Sequence, residues 1–256
     1  MDILQIKDLL DQLSQRFNRP DFIAPDPISI PHRFSKKEDI EIAGFVAATI
    51  AWGNRCSILR SASRMMEFMG NEPHRFVIEA SDKEKKPLLN FVHRTFNGGD
   101  LLFFTESLKN IYQNHEGMHK VFSNGFRETG NITGALTHFR KIFLETEHEK
   151  RSEKHISDIA KGAAAKRLNM YLRWMVRKDK QGVDFGLWTD IPMSELLIPL
   201  DIHTATVART LGLLTRKQND FKAVVELTQI LRKFDPNDPV KYDYALFGAG
   251  VTKTMI

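Results

Sequence analysis

The sequence predicts an all-α protein. Three observations carry this reading. Apolar residues recur at helical spacing along most of the chain, start and stop signals bracket those stretches, and no convincing run alternates apolar and polar residues as a half-buried strand would. The 256 residues suffice for one sizeable core, or for two lobes. A hydrophobic fraction of 42% with 18 phenylalanines offers ample surface to bury, which excludes a chain disordered throughout.

The elements follow in order. "MDILQIKDLLDQLSQRF" has an amphipathic pattern over 4–17, and its acids argue against a secretory leader. Residues 18–34 hold four prolines and predict an extended connector, near which two lobes would meet. "SKKEDIEIAGFVAATIAWG" (35–53) opens with a capping-box pair, Ser35 and Glu38, and is then apolar on nearly all sides, which predicts a central helix. Further helices are expected near 55–69, 73–80, 84–92, 99–113, 116–125, 132–146, 155–177, 192–197, 202–212, 220–233 and 239–248. The chain is expected to form a single structural unit of two helical lobes, one over about 38–180 and one combining 1–37 with 190–256, with a cleft between them.

Composition narrows the function. The longest apolar stretch, "IAGFVAATIAWG", is too short to span a bilayer. The lone Cys56 excludes an intramolecular disulfide, a cysteine-rich zinc site and a four-cysteine iron–sulfur cluster. No metal or other cofactor is expected, and the cytoplasm is the simplest location. A net charge of +5 and a pI near 9.2 favour an anionic partner, nucleic acid first.

Three stretches hold candidate chemistry. "AKGAAAKRLNMYLRWMVRKDK" (160–180) carries Lys161, Lys166, Arg167, Arg173, Arg177, Lys178 and Lys180 against one acid, Asp179. Such a density of cations neutralises phosphates, and Gly162 with its alanines lets a backbone approach them. A solvated helix face explains the same pattern. In "LLIPLDIHTATVARTLGL" (196–213), Pro199 breaks any preceding helix and Asp201 stands at an N-cap. The residue reads either as a plain cap or as a carboxylate held charged in a cleft, and His203 as a structural side chain or a ligand. In "ATIAWGNRCSILRSASRMM" (48–66), Trp52, Asn54 and Arg55 lie at a helix–helix corner, as a cleft lining or a simple turn.

Together these stretches resemble the helix-hairpin-helix DNA glycosylase superfamily, the endonuclease III-like proteins. Its hairpin, roughly Leu-Pro-Gly-Val-Gly-x-Lys-Thr-Ala, is similar to "KGAAAKRL", with Gly162, Ala164 and Lys166 on the two glycines and the lysine. Its next segment is similar to "LDIHTATVARTLGL" at Asp201, His203, Val207, Arg209, Leu211 and Gly212. "DPVKYDYALFGAG" (238–250) is similar to its closing helix. The whole chain also resembles a bacterial family of unknown function through "KRLNMYLRWMVR", "VDFGLW", "IPLDIHT" and "DPVKYDYALFG".

The superfamily resemblance implies a hairpin near 155–177, DNA as partner with RNA as the alternative, and cleavage of the N-glycosidic bond of a flipped nucleotide, with lyase activity. Lys166 would be the amine that attacks the sugar, and Asp201 the carboxylate that supports its developing charge. Lys161, Gly162, Arg167, Arg173, Arg177, Lys178 and Lys180 would hold phosphates. Trp52, Asn54, Arg55, Trp174, Trp188 and His203 would line the base pocket. Ala164 departs from the second glycine, and 178–195 is an insert that either lies on DNA or blocks the cleft. The competing readings are a non-catalytic helix-hairpin-helix nucleic-acid-binding protein and, more distantly, a hydrolase for a small anion built on Asp201 and His203.

Overall fold

The structure, a computed structural model, describes residues 1–253. It is all-α: α1 (Ile3–Phe17), α2 (Lys37–Thr49), α3 (Arg55–Phe68), α4 (Pro73–Glu79), α5 (Asp82–Lys85), α6 (Gly98–Asn114), α7 (Met118–Thr129), α8 (Ile132–Phe143), α9 (Lys166–Val176), α10 (Ile202–Thr210), α11 (Phe221–Phe234) and α12 (Tyr242–Thr252). Among the described residues the only sheet is a hairpin of two-residue strands, β1 (Val92–His93) and β2 (Phe96–Asn97). No helix of the described residues is long and apolar enough to cross a membrane.

The chain divides into two compact units. Unit one combines residues 1–23 with 158–256, and unit two is the continuous stretch 24–157. One boundary thus falls inside the proline-rich connector. The other lies before the basic segment, so 158–180 groups with the C-terminal helices rather than with the segment before it.

Unit two is built on phenylalanines. Phe45 of α2 stacks on Phe104 of α6 at 5.7 Å and meets Phe139 and Phe143 of α8 at 5.5 and 5.4 Å. Such rings supply most of a core's apolar area at little entropic cost. As expected, α2 is central, and Ile40 to Thr49 are all buried. Its one deep acid, Glu41, is reached by the Tyr112 hydroxyl at 2.8 Å and by Lys37 at 3.7 Å.

Unit one gathers α1 and α10–α12 around Leu10, Leu13, Ala205, Ala208, Leu227, Leu231 and Leu246. Asp2 and Gln5 form a reciprocal capping box on α1. Ser14 of α1 donates to the Lys241 carbonyl at 3.0 Å, and Tyr242 of α12 donates to Asp11 at 3.0 Å.

Several local expectations are corrected. The connector 18–34 is not extended: each of Pro20, Pro27 and Pro31 starts a 3-10 turn, because proline's fixed φ suits a first helical position. No capping box forms at Ser35; Lys36 is the N-cap of α2 and makes no side-chain cap bond. The segment expected as helix 84–92 is α5, a 3-10 stretch through Asn90 and then β1. The helix expected at 192–197 is only a 3-10 turn, Met193–Glu195. The long helix expected over 155–177 is 3-10 turns at Lys150–His155 and Ile159–Lys161, a loop, and then α9. Gly162 at φ +86° ends the second turn, a backbone that glycine adopts freely. The second left-handed residue is Ala165 at φ +50°, not Ala164.

Candidate functional site

The basic segment becomes α9, which is buried on all sides from Leu168 to Val176. This decides what its arginines do. Arg173 and Arg177 lie one turn apart, and their side chains are 4% and 3% exposed. A buried guanidinium requires anionic partners, because its desolvation is costly otherwise. Arg173 donates to Asp243 and, at 3.2 Å, to Asp184. Arg177 reaches Asp184 at 3.0 Å, Asp238 at 3.0–3.1 Å and Asp179 at 2.8 Å. The Tyr244 hydroxyl donates to Asp184 at 2.8 Å, and both guanidinia lie over its ring. Arg173 and Arg177 are therefore not phosphate ligands; they are held inside by their own carboxylates.

Two guanidinia face four carboxylates here, so the network carries surplus negative charge. Burial pushes the Asp243 carboxyl up to about 6, and Asp201 and Asp184 add to the push while Arg173 and Lys166 oppose it. The folded state thus holds a proton there that the unfolded chain has released above about pH 4. That contribution to stability is complete below about pH 4 and is lost as pH rises through about 6. Asp243→Asn is expected to remove this fall, read as a flatter dependence of the urea midpoint between pH 4 and 7.

Asp201 is the N-cap of α10, and its Oδ1 accepts from the His203 and Thr204 N–H groups at 2.9 and 3.0 Å. Among the described residues nothing donates to its Oδ2. Thr204 is fully buried and turns its hydroxyl to Asp243 Oδ1 at 3.5 Å. The same residue thus ties Asp201 to Asp243. Lys166 opens α9 on the face that leads, through Met170 and Arg173, to Asp243. Its Nζ lies 3.4 Å from Met170 Sδ and has no ion-pair partner among the described residues. Lys166 and Asp201 both act electrostatically on Asp243. The cations expected around the lysine are thus offset by acids.

The other candidates separate. Lys161, Lys178 and Lys180 are exposed. Burial brings Arg167 down to about 10, which leaves it charged at neutral pH. Trp174 and Trp188 are fully buried, so they pack the core of unit one rather than line an open pocket. Trp188 meets Tyr171 edge-on at 5.5 Å. His203 is exposed and stands edge-on to Phe247 at 6.0 Å. No group of three or more metal-capable side chains occurs among the described residues. Trp52, Asn54 and Arg55 belong to unit two. There Asn54 caps α3, and Trp52 stacks on His155 at 6.0 Å and meets His93 edge-on at 5.3 Å.

The insert is not a loose loop. Val183, Asp184, Gly186 and Trp188 are buried, and the Phe185 and Trp188 N–H groups bond the carbonyls of Trp174 and Met175 at the end of α9. Asp184, Asp238, Asp243 and Tyr244 were missed by motif reasoning, although they lie in the phrases "VDFGLW" and "DPVKYDYALFG". The available signal was that Arg173 and Arg177 stand among the apolar residues of "MYLRWMVR", a setting that demands acids elsewhere in the chain.

No curated protein and no solved structure matches this chain. One family, described as a protein of unknown function (DUF2400), matches residues 26–252, and so takes in nearly all of unit two and most of unit one. The chain belongs to that DUF2400 family.

Proposed function

We propose that this protein acts on DNA as a base-excision enzyme, with Lys166 as the attacking amine and Asp201 as the carboxylate that supports charge on the sugar. One observation carries the reading: Thr204 joins Asp201 to the buried Asp243, and Lys166 opens the helix whose Arg173 bonds that same carboxylate. The cap bonds hold Asp201 through Oδ1 and leave Oδ2 for a ligand. A carboxylate fixed in this way stabilises an oxocarbenium-like sugar without reorganising. Lys166, with no ion-pair partner among the described residues, has a side chain able to move toward that sugar.

Borohydride trapping on an abasic duplex tests this reading. Wild type is expected to form a covalent adduct, Lys166→Ala none, and Asp201→Asn about 100-fold less. No adduct from wild type, or an adduct that survives Lys166→Ala, overturns the lyase mechanism. One observation favours the non-catalytic reading: the complete burial of Trp174 and Trp188 removes two of the expected pocket walls. Salt-sensitive duplex binding with no base release from a panel of damaged substrates selects it.

A further inference from the structure

The loop 162–165 is joined to a second loop that motif reasoning did not single out. The Phe221 N–H donates to the Gly162 carbonyl at 3.0 Å, and Ala163 forms an antiparallel bridge with Asp220. This joint brings "TRKQNDFK" (215–222) beside "AKGAAAK" (160–166) within unit one. The antiparallel register then puts Lys161 and Lys222 opposite each other, one residue beyond the joint. Both are exposed, and so is Lys217.

The second loop is rigidly held. Arg209, from the end of α10, donates to the carbonyls of Arg216 and Lys217 at 2.9 Å and to Asn219 Oδ1 at 2.6 Å. Glu226 accepts from the Thr215 backbone and hydroxyl at 2.7 Å. On the first loop, Asn169 donates to the Ala164 carbonyl at 3.2 Å. Charge is uneven across the joint. Asp220 is taken up by Arg216, which holds its carboxyl down to about 2. Lys161 is loosely paired with Asp158 at 3.6 Å. Lys217 and Lys222 have no ion-pair partner among the described residues. A Cβ on Gly162 would meet nothing within 4 Å, so the space over that loop is open.

We propose that Lys161, Lys217 and Lys222, on these two joined loops, form a docking surface for the sugar–phosphate backbone of duplex DNA. The proposal deepens the DNA reading above and rests on it. Loops pinned in this way need no backbone ordering when their lysines meet phosphates, and each neutralised phosphate releases counterions. The joint lies a few residues from Lys166, so a backbone seated on it passes close to the amine.

The test is duplex binding by the full chain, followed by fluorescence anisotropy over a range of salt concentrations. Lys217→Gln with Lys222→Gln is expected to weaken binding at least tenfold at low salt. It should also flatten the slope of log affinity against log salt by about 2, close to one per lost phosphate contact. Lys233→Gln, an exposed cation near the far end of α11, serves as the matched control and should change neither. Unchanged affinity and slope in the double variant, or no duplex binding by wild type, overturns the surface. Trapping at saturating DNA keeps the two ideas apart. Wild type that binds without forming an adduct sinks the lyase reading and leaves the surface standing. A double variant that binds as tightly as wild type and still traps does the reverse.

Discussion

Asp184→Ala is expected to destabilise the protein by about 3–5 kcal/mol, the usual cost of removing one partner from a buried ion pair. Asp184 accepts from Arg173, Arg177 and Tyr244, and its side chain is fully buried. Alanine leaves two guanidinia and a phenol short of an acceptor in a place water does not reach. Asp184→Asn is expected to cost less, because the amide oxygen still accepts one of the three bonds. The measurement is urea unfolding: a lower midpoint at unchanged slope shows lost stability rather than an altered denatured state. A loss under about 1 kcal/mol for the alanine variant would mean that water solvates the network, contrary to the burial described here.

Gly98→Ala is expected to cost about 3 kcal/mol, at the upper end for overpacking. A Cβ at Gly98 would lie 2.3–2.4 Å from the carbonyl oxygen, carbonyl carbon and Cα of Leu89. Those are backbone atoms of the 3-10 stretch before β1, so no rotamer change relieves the clash. The neighbouring Gly99→Ala is the control. Its Cβ would meet only Asn97 Oδ1 at 3.4 Å, and alanine favours a helix over glycine, so a neutral or slightly stabilising effect is expected. Equal thermal shifts for the two variants would remove backbone contact as the cause.

The helical class and most helices of the fold were legible, because amphipathic spacing survives without tertiary information. α1, α3, α6 and α11 begin and end within a residue or two of their expected bounds. Three kinds of feature were not legible. The stretch 155–177 reads as one helix because three successive alanines favour helix locally, yet Gly162 and Ala165 turn the backbone left-handed. The strands around Val92 and Phe96 are too short to show any alternation. The direction of Arg173 and Arg177 depends on Asp184, Asp238 and Asp243, whose approach is set by packing rather than by spacing. Asp201 was the most legible site residue, since N-cap chemistry is local, and it caps α10 as read.

The division into units has a consequence for the order in which this chain assembles. Unit two is an uninterrupted stretch, finished once residue 157 has been made. Unit one is split around it. The bond from Ser14 to the Lys241 carbonyl joins groups 227 positions apart, so α1 meets this partner only after residue 241 has been made. Until then Ile6, Leu10 and Leu13 present an unpaired apolar stripe on a growing polypeptide. Chain connectivity therefore makes unit one close after unit two and depend on α12. A ribosome stalled before α12 would carry unit two complete and unit one with the apolar stripe of α1 uncovered, the kind of surface a holding chaperone covers.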